Sequence, residues 1–206
     1  MKNLKFKWII GVDEVGRGPL AGPVTVCVLA VPVTAFKGST LRLGFQDLTL
    51  GPGPFDSKKL SAKKRMAIVR ALKYKVHPPK IIYKFASVGA RIIDRKGIIF
   101  AVNLAIHRAL RRLGVQSSKC QVLLDGGLRA PKEYNNQRTI VRGDSSVPII
   151  GLASVLAKVH RDKKMSRLIT RYSKWGFEVH KGYGTRDHYI ALHKYGPSPV
   201  HRLSFL

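Results

Sequence analysis

The sequence predicts an α/β fold in which a mixed central β-sheet is flanked by helices, with a helical C-terminal part. Two β-branched apolar segments open the chain, at residues 8–14 and 24–31, and a turn containing proline and glycine separates them. Strand-like and helix-like segments then alternate, which is typical of sheets that contain parallel strands. We expect residues 1–206 to form a single domain, with a helical extension from about residue 165.

The remaining elements follow from local patterns. Residues 33–56 are rich in glycine, threonine and proline without helical spacing, so we expect a long loop that contains at most a short strand. Ser61 is a suitable N-cap for a helix that reaches residue 72, because apolar residues recur there at helical spacing. The other predicted elements are strands at 80–88, 121–124 and 137–141, a short and then a longer helix within 89–113, a helix start at 143–146, and helices at 147–172 and 185–195.

The charge of the chain predicts a polyanionic partner. Lys and Arg number 38 against 11 Asp and Glu, which gives a formal net charge of +27 at pH 7. Such a field favours nucleic acid, bound mainly through its phosphates. An anionic membrane surface is the weaker alternative, because the sequence has neither an apolar run long enough to span a bilayer nor a basic amphipathic helix with an aromatic face.

Cysteine usage and the N-terminus indicate a reducing compartment. Cys27 and Cys120 both lie in apolar segments and form no C-x-x-C motif. This excludes a disulfide framework, argues against a structural zinc site and predicts two buried free thiols. The first residues lack the apolar core and cleavage site of a signal peptide, so we expect a cytoplasmic protein.

The 11 acidic residues are few enough to be considered one by one. Asp94, Asp162 and Asp187 each lie beside an arginine or lysine, and pairing of solvated charges accounts for them. Four others follow apolar, strand-like segments, where the loops of an α/β sheet commonly build a functional site: Asp13, Glu14, Asp125 and Asp144.

Four carboxylates gathered at neighbouring strand ends would repel one another unless a cation lay among them. Such oxygen ligands suit Mg²⁺ or Mn²⁺, and carboxylate sites that hold two of these ions hydrolyse phosphodiesters. Alternatively, each acid is a turn or cap residue, and Asp144 before Ser145 and Ser146 is suited to a helix N-cap. Spacing alone leaves both interpretations open, because it assumes that the strand ends converge.

Two motifs of other protein classes are matched only formally. Residues 16–21, GRGPLA, satisfy the dinucleotide-binding pattern G-x-G-x-x-[GA], but a second strand follows where that site requires a helix. The run His160-Arg161-Asp162 matches the start of a kinase catalytic loop, but position 167 is Arg rather than Asn and a D-F-G motif is missing. Neither pattern predicts a nucleotide-binding protein.

Seven segments match, in order, the motifs of one known family. They are GVDEVGRGPLAGPV (11–24), DSKKLS (56–61), LLDGG (123–127), RGDSS (142–146), ASVLAKVHRDKKM (153–165), HKGYGT (180–185) followed by His188, and GPSPVHRLSF (196–205). On these segments the chain resembles ribonuclease HII, the type 2 ribonuclease H family, over nearly its full length. The resemblance implies the RNase H-like fold, whose mixed sheet and flanking helices agree with the pattern described above.

The resemblance also implies an activity. Members of this family are endonucleases that hydrolyse the RNA strand of RNA–DNA hybrids, and they cut on the 5′ side of single ribonucleotides embedded in duplex DNA. The implied mechanism uses two metal ions, Mn²⁺ or Mg²⁺, and leaves 3′-hydroxyl and 5′-phosphate ends. The implied partners are RNA–DNA hybrids and DNA duplexes that contain ribonucleotides, with no membrane, and we expect a monomer.

The resemblance assigns roles to particular residues. The family's four catalytic, metal-binding acids fall on Asp13, Glu14, Asp125 and Asp144, and its glycine-arginine-glycine motif, which contacts the backbone around the ribonucleotide, falls on Gly16, Arg17 and Gly18. Its tyrosine, which lies beside the ribose at the RNA–DNA junction, falls on Tyr183. Phosphate or structural contacts are expected from Lys58, Ser154, Lys158 and Arg161, although for the lysines a solvated surface position is the alternative.

Two rival functions remain at this stage. Ribonuclease HIII, a sister enzyme, prefers longer RNA stretches, but its extra N-terminal domain is not expected here because the first motif begins at residue 11. Tyr183 within KGYGT also favours ribonuclease HII. A non-catalytic basic protein that shares only the fold would bind nucleic acid, but it would have no use for the four acids.

Overall fold

The computed structural model describes residues 6–37, 40–41, 57, 59–74 and 81–206. Its strands are β1 (Trp8–Val15), β2 (Val24–Pro32), β3 (Phe36–Lys37), β4 (Thr40–Leu41), β5 (Ile82–Val88), β6 (Cys120–Asp125) and β7 (Gln137–Ile140). Its α-helices are α1 (Ala62–Tyr74), α2 (Ala90–Leu113), α3 (Gly143–Ser146), α4 (Pro148–Arg167), α5 (Phe177–His180) and α6 (Arg186–Tyr195). Short 3₁₀ turns span Val33–Ala35, Ser117–Lys119, Ser173–Trp175 and Leu203–Phe205.

A five-stranded mixed sheet forms the centre of the described part of the chain, with strand order β5-β2-β1-β6-β7. β2 pairs antiparallel with both β1 and β5, whereas β1, β6 and β7 run parallel to one another. The predicted α/β class with a mixed sheet is therefore confirmed. Because β1, β6 and β7 share one direction, their C-terminal ends lie at the same edge of the sheet.

The sheet is covered on both faces. β2 is buried at every residue except its last, as expected for a central strand with helices on either side. On one face, Val26 and Val28 belong to a core that includes Ile106 of α2. On the other face, Cys27 and Leu29 pack in a second core with α4. The alternation along β2 thus assigns α2 to one face and α4 to the other.

Helix α4 approaches β1 closely because position 11 carries no side chain. A Cβ atom built on Gly11 would lie 2.5 Å from the backbone oxygen of Ile149, which is too short for a non-bonded contact. The glycine thus allows the N-terminal turns of α4 to lie directly on β1. This approach brings later α4 residues to the sheet edge where β1 ends.

Helix α2 contains the predicted break between a short and a longer helix. Gly97 has φ 81° and ψ 162° inside the helical span, a left-handed value that glycine adopts without a steric penalty. Helix α1 begins as predicted, with the backbone N–H of Lys64 donating to the Ser61 hydroxyl at 3.3 Å. The short strand allowed within the loop at 33–56 corresponds to the β3–β4 pair, and residues 42–56 lie outside the described residues.

The prediction that one helix extends from 147 to 172 is wrong at its C-terminal end. Helix α4 ends at Arg167, and a series of turns follows. Leu168 and Tyr172 pack against a small core that contains Met165 and Phe177. Neither glycine nor proline marks this end in the sequence, so the termination depends on packing against later residues.

Cys27 and Cys120 are free and buried, as predicted. Among the described residues, none of the helices combines the length and the apolar character needed to cross a bilayer.

We expect Gly11→Ala to lower the free energy of unfolding by about 1–3 kcal/mol, because the added methyl group overlaps the α4 backbone. Urea denaturation monitored by circular dichroism measures the change. Gly127→Ala is the matched control, since a Cβ there meets nothing within 4 Å and its expected change is within about 0.5 kcal/mol. Equal stabilities of the two variants would contradict the close packing of β1 and α4.

Candidate active site

Three aspartates meet at the edge where β1 and β6 end. Asp13, Asp125 and Asp144 each offer a carboxylate oxygen, and these oxygens all lie within 4.8 Å of one another. The parallel pairing of Val12 with Leu124 places Asp13 beside Asp125. The cluster therefore follows from the register of two neighbouring strands and from the segment that brings Asp144 to them.

Asp144 reaches the cluster through the short helix α3. Its backbone N–H donates to Oδ1 of Asp125 at 3.2 Å. A Cβ atom on Gly143 would lie 2.7 Å from Ile150 Cδ1 and 3.3 Å from Asp125 Oδ1, so the glycine permits the close approach of α3. The interpretation of Asp144 as a helix N-cap is wrong, because Arg142 occupies that position and Asp144 lies in the first turn.

Glu14 borders the same site but lies outside the group of three. It follows Asp13 directly on β1, and consecutive strand side chains point to opposite faces. Its Oε1 forms an ion pair with Arg17 Nε at 2.6 Å. Its other carboxylate oxygen, Oε2, is buried and has no hydrogen-bond partner among the described residues, so this oxygen is available to a ligand.

The electrostatics of the site favour a bound cation. Burial raises the pKa of Asp13 well above its ordinary value, and the neighbouring charges of Glu14 and Asp125 raise it further. Burial also raises the pKa of Glu14, against the opposing effect of Arg17. A divalent cation among these oxygens would compensate the repulsion. The donor set consists of hard carboxylate oxygens, which fits Mg²⁺ or Mn²⁺.

The acids open into a cavity of about 510 Å³. Three residues predicted to contact the substrate also line this cavity, namely Ser154, Lys158 and Tyr183. Lys58 lies outside the described residues. The Ser154 hydroxyl is 2.8 Å from that of Ser57, and its nearby dipole partly opposes the rise in the pKa of Asp13. The described lining residues are Asp13, Glu14, Val15, Ser57, Arg65, Asp125, Asp144, Ser154, Lys158 and Tyr183.

Residues 10–206 match the family model described as Ribonuclease HII. The chain belongs to the ribonuclease HII family. It is 42% identical over 198 residues to the ribonuclease HII of Coxiella burnetii strain Dugway 5J108-111, a match that covers 96% of this chain and 87% of that protein. It is 40% identical over 206 residues to the ribonuclease HII of Nitrosospira multiformis, covering 100% of this chain and 92% of that protein.

Solved structures of ribonucleases HII and HIII share the fold. Ribonuclease HII in a PCNA:RNase HII complex from Archaeoglobus fulgidus superposes with a TM-score of 0.71 at 20% identity, covering 96% of this chain and 95% of that one. Bst-RNase HIII in complex with Mn²⁺ superposes with a TM-score of 0.63 at 17% identity, covering 98% of this chain and 68% of that one. The predicted RNase H-like fold is confirmed.

Membership of the ribonuclease HII family establishes the general activity of the chain. It is a metal-dependent ribonuclease H that acts on RNA–DNA hybrids. Its cofactor is Mn²⁺ or Mg²⁺, in agreement with the cluster of three aspartates.

The two glycines of the family's glycine-arginine-glycine motif have different surroundings. Gly16 has φ +91°, and a Cβ atom on it would overlap the side chain of Arg161. Gly18 has nothing within 4 Å of its Cβ position, so its backbone faces open space. Arg17, whose side chain is 46% exposed, lies between them and pairs with Glu14. Gly16 is thus required by the fold, whereas the space around Gly18 is free for a ligand.

Tyr183 lies across the cavity on the turn that leads into α6. It is 40% exposed, and its ring lies 5.8 Å from the Lys158 ammonium and 5.7 Å from the Arg161 guanidinium. Lys158 also pairs with Asp162 at 3.0 Å. Asp162 therefore pairs with the lysine one helical turn earlier, rather than with its sequence neighbours as expected.

Two buried histidines, His188 and His201, stabilise the turn that carries Tyr183 through a chain of hydrogen bonds. Nδ1 of His201 accepts from the Ser198 backbone N–H at 2.8 Å, so Nε2 carries the proton and donates to His188 Nε2 at 2.9 Å. Nδ1 of His188 then donates to the carbonyl oxygen of Tyr183 at 2.9 Å. This chain of hydrogen bonds requires both rings to be neutral, because a second proton would leave two donors facing each other.

Sequence reasoning missed three groups of residues at this site. The supporting role of the histidines went unrecognised because they lie apart in the chain and match no metal or catalytic motif. Arg65 lines the cavity and donates to the carbonyls of Ser57 and Leu60. Arg202, which the sequence did not single out, is fully buried; Arg161, expected to make a phosphate or a structural contact, is also fully buried and makes the structural one.

We expect the free energy of unfolding to fall as pH drops from about 6.5 to 4. Burial and the nearby His188 ring lower the pKa of His201 to about 4, from an ordinary value of 6.5. Between these values the unfolded chain binds a proton that folded His201 does not bind, so the folded state loses stability on acidification. Urea denaturation between pH 7.5 and 4.5 measures this dependence.

His201→Gln is the control for this pH dependence. The variant lacks the titrating ring but keeps the other titrating groups, so its stability should change less steeply over the same range. A pH dependence equal to that of the wild type would contradict the role of His201.

Proposed function

We propose that this ribonuclease H cuts on the 5′ side of ribonucleotides, including a single ribonucleotide embedded in duplex DNA, and leaves 3′-hydroxyl and 5′-phosphate ends. The observation that carries the proposal is one cavity lined both by the three clustered aspartates and by Tyr183. The loop bearing Gly16 and Gly18 follows β1 directly. A nucleotide bound in the cavity can therefore contact this loop, the aspartates and Tyr183 at the same time.

In this proposal Asp13, Asp125 and Asp144 hold the metal ions, and the buried, unpartnered oxygen of Glu14 completes the set. Held by these residues, two divalent ions would supply the chemistry of water activation and of charge stabilisation at the leaving 3′ oxygen. The protein helps to keep the carboxylates in place: the hydroxyl of Ser154 lies near Asp13, and the backbone N–H of Asp144 donates to Asp125 Oδ1. These supports restrict the orientation of each carboxylate before metal binds.

In this proposal the loop that contains Gly16, Arg17 and Gly18 recognises the ribonucleotide together with Tyr183. One 2′-hydroxyl distinguishes RNA from DNA at a single nucleotide, so donors and acceptors must lie close to that sugar. The backbone at Gly18 is accessible, and the exposed part of the Tyr183 ring can pack against a ribose. Arg17 and Lys158 supply positive charge for the adjacent phosphates. For Lys58, the proposed phosphate contact rests on the family resemblance alone.

We expect the wild-type protein with Mn²⁺ to cut a DNA duplex carrying one ribonucleotide on its 5′ side, and to lose this activity with EDTA. Asp125→Asn removes a ligand charge and should lower the activity by more than about 100-fold, since even residues that only support metal ligands contribute about 10–100-fold. Glu133→Gln, at an exposed position, is the control and should keep full activity.

Cleavage products on denaturing gels decide between the outcomes. Full activity of Asp125→Asn, or cleavage that persists in EDTA, would refute the proposed metal site. Cleavage of an all-RNA/DNA hybrid without any cut at the single ribonucleotide would refute the proposed specificity, while leaving the family's activity intact.

We expect Gly16→Ala and Gly18→Ala to fail in different ways. Gly16→Ala should lower the free energy of unfolding by about 2 kcal/mol, because its φ is left-handed and Arg161 occupies the added methyl's position. Gly18→Ala should unfold like the wild type but raise KM for the single-ribonucleotide duplex about tenfold, because the methyl group displaces the sugar. Thermal unfolding and steady-state kinetics measure both effects. Unchanged KM in Gly18→Ala would argue against substrate contact there.

A further inference from the structure

Two buried arginines lie behind the loop of residues 16–23. Arg161 on α4 and Arg202 near the C-terminus are both 0% exposed. An arginine is seldom buried completely unless its charge and its five N–H donors find partners, which are commonly carboxylates. Here the hydrogen-bond partners are backbone carbonyl oxygens, and nearly all of them belong to this one loop.

Arg202 hydrogen-bonds both the beginning and the end of the loop and so connects them. Its Nε donates to the carbonyl of Gly22 at 3.0 Å, and its two terminal nitrogens donate to those of Arg17 at 2.7 Å and Gly16 at 2.6 Å. The planar guanidinium thus spans the loop and fixes the distance between its two ends.

Arg161 joins the same loop to the turn that carries Tyr183. Its nitrogens donate to the carbonyls of Pro23 at 3.0 Å and Ala21 at 3.2 Å, and to that of Lys181 at 3.0 Å. Lys181 is two residues before Tyr183. One rigid side chain therefore determines where the loop lies relative to the tyrosine.

Backbone hydrogen bonds complete this arrangement. The N–H groups of Leu20 and Ala21 both donate to the carbonyl of Gly182, at 2.8 and 3.2 Å, and the Arg202 N–H donates to the carbonyl of Leu20 at 2.8 Å. A Cβ atom on Gly182 would lie 2.5 Å from the Ala21 oxygen. The loop is thus held between the Tyr183 turn on one side and the C-terminal segment on the other.

Asp94 anchors the segment that supplies Arg202. Its carboxylate accepts from the backbone N–H groups of Leu203 and Ser204, both at 3.1 Å, and from the Ser204 hydroxyl at 2.7 Å. Asp94 was expected only to pair with exposed arginines next to it in sequence. Instead it ties the C-terminal segment to α2. Burial and the charge of Arg161 lower the pKa of Arg202 to about 10, and the negative charge of Asp94 opposes this shift.

We infer that Arg161 and Arg202 are positioning residues that hold the glycine-arginine-glycine loop at a fixed position relative to Tyr183, and that they thereby determine the selectivity for a single embedded ribonucleotide over a continuous hybrid. The inference rests on the proposed function. Neither arginine is accessible to substrate, so both act through the backbone that they bind.

Selectivity is the property that should depend on this positioning. A duplex with one ribonucleotide offers a single 2′-hydroxyl, so the loop and the tyrosine must contact the same nucleotide together. Every nucleotide of the RNA strand in a continuous hybrid carries a 2′-hydroxyl, so a shifted loop can still contact a ribonucleotide. Misplacement of a binding group by about 1 Å can lower a rate by about 100-fold, and the loss should fall mainly on the single-ribonucleotide substrate.

The test compares kcat/KM on two substrates, a DNA duplex with one ribonucleotide and an all-RNA/DNA hybrid. Arg202→Lys and Arg161→Lys keep the positive charge, but one ammonium group cannot replace the planar fork of donors. We expect the ratio of the two kcat/KM values to fall about tenfold in each variant. Arg108→Lys, at an exposed position on α2, is the matched control and should keep the wild-type ratio.

Two further measurements separate positioning from loss of folding. Thermal unfolding shows whether each variant is folded at the assay temperature, and calorimetric titration with Mn²⁺ shows whether the carboxylates are intact. A folded variant with wild-type Mn²⁺ affinity and a lowered ratio supports the inference. An unchanged ratio, or equal losses on both substrates, overturns it. A wild-type protein that cuts the hybrid but never the single ribonucleotide would overturn the proposed function itself.

Discussion

The parallel pairing of β1 with β6 is the constraint on which the rest of the structure depends. It places the carboxylates of Asp13 and Asp125 side by side at one sheet edge, with an oxygen of each within 4.8 Å of the other. A slip of one residue in this register would turn one of the two carboxylates to the opposite face. Packing of α4 on β1, permitted by Gly11, and the short helix that carries Asp144 both build on this pair of strands.

Helix α4 connects the clustered aspartates to the loop and the tyrosine that are proposed to contact the substrate. Ser154, Lys158 and Arg161 follow one another at spacings of four and three residues, so they share one face of the helix. The first contacts Asp13, the second lines the cavity and the third holds the loop and the Tyr183 turn. A rigid helix thereby fixes the relative positions of groups that, in the proposed function, act on one nucleotide.

Charge is distributed to match this arrangement. The chain carries a net charge of +27, which attracts the nucleic-acid backbone, while its few acids include three clustered aspartates whose mutual repulsion a cation would offset. The guanidinium groups of the two buried arginines donate to backbone carbonyl oxygens. These oxygens take the place of the carboxylate partners that buried arginines commonly have.

Local sequence patterns determined the order and class of most elements, the division of residues 89–113 into a short and a longer helix, and the few acids that follow strands. They did so because burial of alternating or helically spaced apolar residues is a short-range property. Tertiary structure alone decided which acids converge, where α4 ends and why Gly16 and Gly18 differ. Arg202 and Gly22 are 180 positions apart, and in a chain with 38 Lys and Arg, local sequence cannot distinguish a buried arginine from an exposed one.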